Sequence, residues 1–123
     1  MILADSTIWI NHLRAEDERL AELLEAREVL GHPFVTGEVA LGYLRHRDVI
    51  LSELQDLPQA VLATDEEVLD LIKGLRLFGR GIGYVDAHLL AAVRLTPEAK
   101  LWTRDRPLQR VAAELGLAAM LPH

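Results

Sequence analysis

The chain has 123 residues, of which 50% are hydrophobic and 26% are charged, so its length and composition predict one folded domain over residues 1–123. The absence of cysteine excludes disulfides and zinc-thiolate sites and fits a reducing cytoplasm. No stretch approaches the roughly 20 apolar residues of a membrane-spanning helix, and the first residues do not resemble a cleavable leader. We therefore expect a cytoplasmic protein without a membrane partner.

A net charge of -6 argues against a simple electrostatic nucleic-acid binder. Residues 1–62 hold 11 acidic and 5 basic side chains, whereas residues 63–123 hold 8 of each. We expect any surface for a polyanion to lie mainly in the second half. The candidate cations there are Arg76, Arg80, Arg94, Arg104, Arg106 and Arg110.

In chain order, the apolar residues 1–4 predict a buried strand, and helical spacing follows over residues 8–13 and 16–24. Gly31 and Pro33 predict the end of that helix, residues 34–35 a second strand, and Thr36 the cap of a third helix. A further helix is predicted over residues 45–57, ended by Pro58, and a third strand over residues 60–63.

Thr64 and Glu67 form a capping-box pattern for a helix over residues 65–77, and residues 79–83 predict a glycine-rich loop. Asp86 opens the next helix, residues 100–103 predict a fourth strand, and Pro107 and Gly116 bound the last helix. Residues 118–121 suggest a fifth, edge strand. This alternation predicts a helix-rich three-layer α/β/α sandwich with a short parallel sheet of four to five strands.

Four acidic residues stand where predicted strands give way to helices: Asp5, Glu38, Asp86 and Asp105. Parallel strands deliver their carboxyl ends to one edge of a sheet, so we expect these acids to meet there. An all-oxygen set without cysteine or a histidine pair suits Mg²⁺, with Mn²⁺ as a substitute. Such an ion activates water and neutralises phosphoryl charge, which predicts phosphodiester hydrolysis.

Hydroxyl groups beside these acids, on Ser6 and Thr103, are expected to position the carboxylates or water by hydrogen bonds. Each acid also has a structural interpretation. Glu38 and Asp86 suit helix first turns, and Asp105 suits an N-cap. Asp5 directly after a buried strand is costly unless it is paired, and helix capping alone does not explain it. The joint pattern therefore favours catalysis.

Two other classes of protein are alternatives to a nuclease. A signalling receiver domain needs adjacent acids near the first strand and a late lysine after its strand, whereas Lys100 precedes its strand. A non-catalytic protein-association module, with the acids serving solubility, stays open. The loop over residues 79–83 lacks a nucleotide-binding fingerprint and predicts a flexible connection, in which Arg80 is a candidate contact for an RNA backbone.

The ordered motifs resemble those of the PIN-domain family and, more narrowly, the VapC-type toxins of bacterial toxin–antitoxin pairs. The motifs that carry this resemblance are Asp5-Ser6-Thr7-Ile8-Trp9-Ile10, Thr36-Gly37-Glu38-Val39-Ala40-Leu41-Gly42, Tyr84-Val85-Asp86-Ala87-His88-Leu89-Leu90-Ala91-Ala92 and Leu101-Trp102-Thr103-Arg104-Asp105.

The resemblance implies a Mg²⁺-dependent endoribonuclease with Asp5 and Asp86 as metal ligands. Glu38 and Asp105 are implied to bind the same metal directly or through water. It also implies a homodimer inhibited by a small VapB-like antitoxin. Arg80 and Arg104 are the candidate RNA contacts. A housekeeping RNA-processing nuclease remains the alternative within this class, and the sequence leaves open the RNA cleaved and the number of metal ions.

Overall fold

A three-stranded parallel sheet with strand order β2-β1-β3 forms the centre of the fold. The structure is a computed structural model that describes residues 1–121. Its elements in chain order are β1 (Ile2–Ala4), α1 (Ser6–Arg14), α2 (Glu18–Glu25), β2 (Val29–Leu30), α3 (Pro33–Ala40), α4 (Arg47–Asp56), α5 (Asp65–Gly74), α6 (Tyr84–Leu95), β3 (Lys100–Trp102) and α7 (Arg106–Glu114).

Both faces of this sheet are covered. Successive residues of a strand point to opposite faces, and Leu3 and Ala4 of β1 are both buried, as are Leu101 and Trp102 of β3. Strands buried on both faces read as continuous apolar runs, which is how the sequence presents them. The predicted helix-rich α/β fold with a parallel sheet is therefore confirmed.

The sheet has three strands rather than the four to five that were predicted. The segment after Pro58 contributes one bridge, between Gly31 and Gln59, and the segment after α7 contributes one bridge, between Leu101 and Ala118. Beyond Gln59 the chain leaves the sheet, and the backbone N–H of Val61 donates to Thr96 Oγ1 at 2.9 Å. Each flanking segment thus pairs for a single residue before it turns away.

The second strand was placed too late in the sequence. It occupies Val29–Leu30, whereas the predicted strand residues Phe34 and Val35 lie in α3. Pro33 occupies the first turn of that helix, where its fixed φ and missing N–H fit, and His32 caps it by accepting from the N–H of Phe34 at 3.0 Å. His32 and Pro33 therefore begin α3, whereas Pro33 was predicted to mark the end of the preceding helix.

The predicted helix over residues 45–57 corresponds to α4, and the capping box of Thr64 and Glu67 is formed at the start of α5. Within residues 1–121, no helix combines the length and apolarity needed to cross a bilayer. The single-domain prediction over residues 1–123 stays a prediction, and residues 122–123 lie outside the described part of the chain.

Candidate active site

Asp5 lies directly after β1, at the N-cap of α1. Its Oδ1 accepts from the N–H of Thr7 at 3.0 Å and from the N–H of Ile8 at 3.4 Å, and only 3% of the residue is exposed. Helix capping therefore does account for one carboxylate oxygen, contrary to the sequence argument. The same geometry fixes the carboxylate where β1 and α1 meet.

Two threonine hydroxyl groups donate hydrogen bonds to the carboxylate of Asp5. Thr7 Oγ1 donates to Oδ1 and Thr103 Oγ1 donates to Oδ2. Thr103 follows β3, the neighbour of β1, so the sheet brings it to Asp5 across 98 positions of sequence. Thr103 thus lies beside a carboxylate, as the sequence predicted, and Thr7 is a second hydroxyl contact that was not predicted.

Both hydroxyls also tie this carboxylate to the loop between β3 and α7. Thr7 Oγ1 accepts from the backbone N–H of Arg104 at 2.9 Å, and Thr103 Oγ1 accepts from the N–H of Asp105 at 3.0 Å. Asp5 also donates its own N–H to the carbonyl of Trp102 at 3.0 Å. The residues after β1 and those after β3 consequently form one hydrogen-bonded unit.

Burial raises the pKa of Asp5 above its ordinary value, and the hydrogen bonds from Thr103, Thr7 and the backbone oppose that shift. A carboxylate is stabilised in its charged form by donors and destabilised by loss of water. Because burial outweighs the donors here, the ionised form of Asp5 is less favoured than that of an aspartate in water.

Asp86 and Asp105 each accept a hydrogen bond at the start of a helix. Asp105 is the N-cap of α7, and its Oδ2 accepts from the N–H of Leu108 at 3.0 Å. Asp86 lies in the first turn of α6, and its Oδ2 accepts from the N–H of Gly83 at 2.9 Å. Burial raises the pKa of Asp86, the hydrogen bond from Gly83 opposes the shift, and the charge of Asp105 adds to it. The two carboxylates therefore lie close enough to repel each other.

Glu38 reaches the same neighbourhood from α3. It is exposed and occupies the sixth residue of the helix, rather than the first turn that was predicted, because α3 begins earlier than expected. Ser6 Oγ donates to Glu38 Oε1 at 3.1 Å, so the residue next to Asp5 connects the fourth acid to the site. Ser6 thus contacts a carboxylate, and its positioning role stays a prediction.

Three of the four acids are linked at the carboxyl edge of the sheet by hydrogen bonds of neighbouring residues. Ser6, next to Asp5, contacts Glu38, and Thr103 contacts both the carboxylate of Asp5 and the backbone N–H of Asp105. Asp86 is related to them through the charge of Asp105, which adds to the effect of burial in raising the pKa of Asp86. Over residues 1–121, no three acidic, histidine or cysteine side chains are already arranged as a metal-binding group. Mg²⁺ is commonly held by one or two carboxylates with several waters, so the absence of a three-ligand cage is compatible with that ion.

The donor set also fits a hard divalent cation. Among the hydrogen bonds of residues 1–121, one carboxylate oxygen of each of Glu38, Asp86 and Asp105 has no partner. Burial raises the pKa of Asp5 and Asp86 by disfavouring their charged forms, which a bound cation would stabilise. The residues present therefore fit a divalent-metal site.

The two arginines proposed as RNA contacts have different surroundings. Arg80 Nη2 forms an ion pair with Glu114 Oε2 at 2.6 Å, which joins the glycine-rich loop to α7. Arg104 is exposed beside the acids, and its backbone N–H is the group that donates to Thr7. Arg104 is the better placed of the two, and RNA binding by either stays a prediction.

Comparison with known proteins agrees with this architecture. The family model described as PIN domain matches residues 2–114. Ribonuclease VapC32, from two strains of Mycobacterium tuberculosis, is 51% identical to the chain over 118 residues, which cover 96% of this chain and 95% of the relative. The matched region contains all four acids and their hydroxyl partners. The chain belongs to the PIN-domain family.

Proposed function

We propose that this protein is a divalent-metal-dependent endoribonuclease that hydrolyses RNA phosphodiester bonds. The observation that carries the proposal is the hydrogen-bonded unit at one sheet edge that links residues far apart in sequence: Ser6 contacts Glu38, and Thr103 contacts Asp5 and the backbone of Asp105. The charge of Asp105 also acts on Asp86, which supports placing Asp86 in the same site. The 51% identity to a protein named ribonuclease VapC32 supports RNA as the substrate.

Asp5 and Asp86 would hold the metal, with Glu38 and Asp105 binding directly or through water. Mg²⁺ is the proposed ion, with Mn²⁺ as a substitute, because the donors are carboxylate oxygens. When bound, the ion would activate water for attack on phosphorus and neutralise charge that develops on the phosphoryl group.

The protein's own residues orient this chemistry. Thr7 and Thr103 hold the Asp5 carboxylate from both of its oxygens, so its orientation is fixed before substrate arrives. Ser6 holds Glu38 at the same edge, and Gly83 holds Asp86. Arg104 lies beside the acids, where a guanidinium group would bind a substrate phosphate.

We further propose that the protein is the toxin of a type II toxin–antitoxin pair, that it forms a homodimer, and that a small VapB-like antitoxin inhibits it in the cytoplasm. The sequence identity to ribonuclease VapC32 over nearly the whole chain supports the toxin assignment over a housekeeping RNA-processing role. Copurification of a small protein encoded beside this gene, with loss of RNA cleavage in the complex, tests the assignment.

Cleavage of RNA by the wild-type protein and by Asp5→Asn, each with Mg²⁺ and with EDTA, tests the enzymatic proposal. We expect Asp5→Asn and EDTA each to lower the rate by about 100-fold or more, the scale of losing one preorganised electrostatic group. Glu53→Gln removes an exposed acid of α4 and serves as the matched control with an unchanged rate. Equal cleavage by Asp5→Asn and wild type would refute the proposal.

A further inference from the structure

An open cavity of about 1070 Å³ lies between the N-terminal ends of α2 and α7. Its floor is formed by Ile8, Trp102 and Thr103. Pockets for small ligands typically span about 300–1,000 Å³, so this one has room for more than one nucleotide. It is therefore large enough to hold a segment of a polymeric ligand.

The two walls of this cavity carry net charges of opposite sign. One wall holds the exposed Glu16, Glu18 and Glu22 together with Asp17 and Arg19, so four acids outnumber one base there. The exposed Arg104 and Arg106 line the other wall together with Gln109. Between residues 1 and 121, no ion pair joins these walls. The guanidinium groups are thus available to an anion, and the carboxylates are available to hydrogen-bond donors.

The cavity adjoins the candidate active site directly. Thr103, on its floor, donates to the carboxylate of Asp5, and Arg104, on its wall, donates its backbone N–H to Thr7. Asp105, the N-cap of α7, lies between Arg104 and Arg106 in the sequence. A strand whose phosphate reaches the four acids would continue into this cavity with its next nucleotide.

We propose that the cavity is a nucleotide subsite for single-stranded RNA next to the scissile phosphate, an inference that rests on the proposed function. Arg104 and Arg106 bind the phosphates, because the guanidinium fork matches phosphate oxygens. The glutamates opposite accept hydrogen bonds from base amino groups, as carboxylates do from the N4 amino group of cytosine. The subsite therefore prefers bases with an exocyclic amine, adenine, cytosine and guanine, over uracil, which has none.

The preference is tested by cleaving a pool of single-stranded RNA randomised around the scissile bond, with Mg²⁺, and sequencing the products. We expect uracil to be depleted by roughly 5-fold at one flanking position in wild-type products. The double variant Glu18→Gln/Glu22→Gln should lose this depletion, because an amide also donates to the carbonyl oxygens of uracil. The matched control Glu25→Gln/Glu28→Gln removes two exposed acids outside the cavity and should keep it.

The phosphate contacts are tested by Arg106→Ala against Arg110→Ala, which removes an exposed arginine of the same helix that does not line the cavity. We expect Arg106→Ala to raise KM by roughly 5-fold with little change in kcat or in base preference, since a phosphate contact carries no sequence information. Arg110→Ala should change KM by less than about 2-fold.

The possible failures are distinguishable. Absence of cleavage by the wild-type protein would contradict the proposed function and the subsite with it. Cleavage with no base preference, or with equal effects of Arg106→Ala and Arg110→Ala, would overturn the subsite and leave the nuclease proposal standing. Loss of binding to a basic peptide in Glu18→Gln/Glu22→Gln, with the RNA preference intact, would assign the acidic wall to a protein partner and overturn the subsite.

Discussion

Thr7 is one of the two residues whose hydroxyl groups orient the carboxylate of Asp5. Its hydroxyl donates to Asp5 Oδ1 and accepts from the backbone N–H of Arg104, so one atom joins the loop after β1 to the loop after β3. A hydroxyl is suited to this position because it donates and accepts at once. Removing it leaves a buried carboxylate with one donor fewer and a backbone N–H without its partner.

We therefore expect Thr7→Val, which keeps the shape of the side chain, to lower RNA cleavage by about 10-fold or more, as losses of groups that orient metal ligands commonly do. The free energy of unfolding should fall by about 1–3 kcal/mol because a buried hydrogen-bonded group loses its partner. Cleavage assays and urea unfolding measure the two effects.

Thr96→Val is the matched control for this substitution. Thr96 Oγ1 also donates to one group and accepts from another, the carbonyl of Ala92 and the N–H of Val61, but it lies at the C-terminal end of α6. It should lower stability by a similar amount and leave cleavage unchanged. If both variants lose activity in proportion to stability, Thr7 has only a structural role.

The sequence predicted hydroxyl partners at Ser6 and Thr103 but not at Thr7. Thr103 stands directly after β3 and Ser6 directly after Asp5, positions that the sequence pattern alone identifies. Thr7 lies in the first turn of α1, where its side chain meets the loop 97 positions away only after the sheet has formed. A hydroxyl two residues after an N-cap aspartate is the local signal that was available.

At the scale of elements, strands β1 and β3 were predictable because each is a short apolar run ended by a polar residue. Strand β2 was not, since Val29 and Leu30 follow α2 after only three residues and read as part of its apolar pattern. The turn between them uses Arg27 at φ 57°, a conformation that favours glycine, so no glycine or proline marked the end of the helix. Consequently, the start of α3 was misplaced as well.

His32, the N-cap of α3, makes the stability of this region depend on pH. It is 1% exposed, and burial, with a smaller contribution from the charge of His88, lowers the pKa of His32 to about 4 from an ordinary value of 6.5. The folded state thus binds this proton less readily than the unfolded state. Stability from His32 is fully present above about pH 6.5 and is lost as pH falls toward 4.

The expected loss attributable to His32 between pH 7 and pH 5 is about 2 kcal/mol in the free energy of unfolding. His32→Asn keeps a side chain that can accept from the N–H of Phe34 at the N-cap but does not titrate. Urea unfolding of both proteins at the two pH values should show the smaller loss in His32→Asn. An identical loss in the two proteins would exclude His32 as the source.

For the molecule as a whole, the sequence predicted the neighbourhood of the acids better than the details within it. A parallel sheet must bring the residues after adjacent strands together, so Asp5 and Thr103 meet for a topological reason. The ion pair of Arg80 with Glu114 was not predictable, because α7 approaches the glycine-rich loop only in the folded chain. Side-chain partners of this kind depend on packing that periodicity does not describe.

We propose that the four carboxylates form one divalent-metal site, because an acidic protein needs a cation to keep them ionised together. Titration of ¹⁵N-labelled protein with Mn²⁺, followed by amide NMR spectra, tests it most directly because the paramagnetic ion broadens nearby signals. We predict that signals around Asp5, Asp86 and Thr103 broaden first. The exposed acids Glu28 and Glu98, whose carbonyls accept from the backbone N–H of Ile2 and from the N-terminus at the amino ends of the strands, are an internal control. Broadening there first, or equally at both places, would contradict the account.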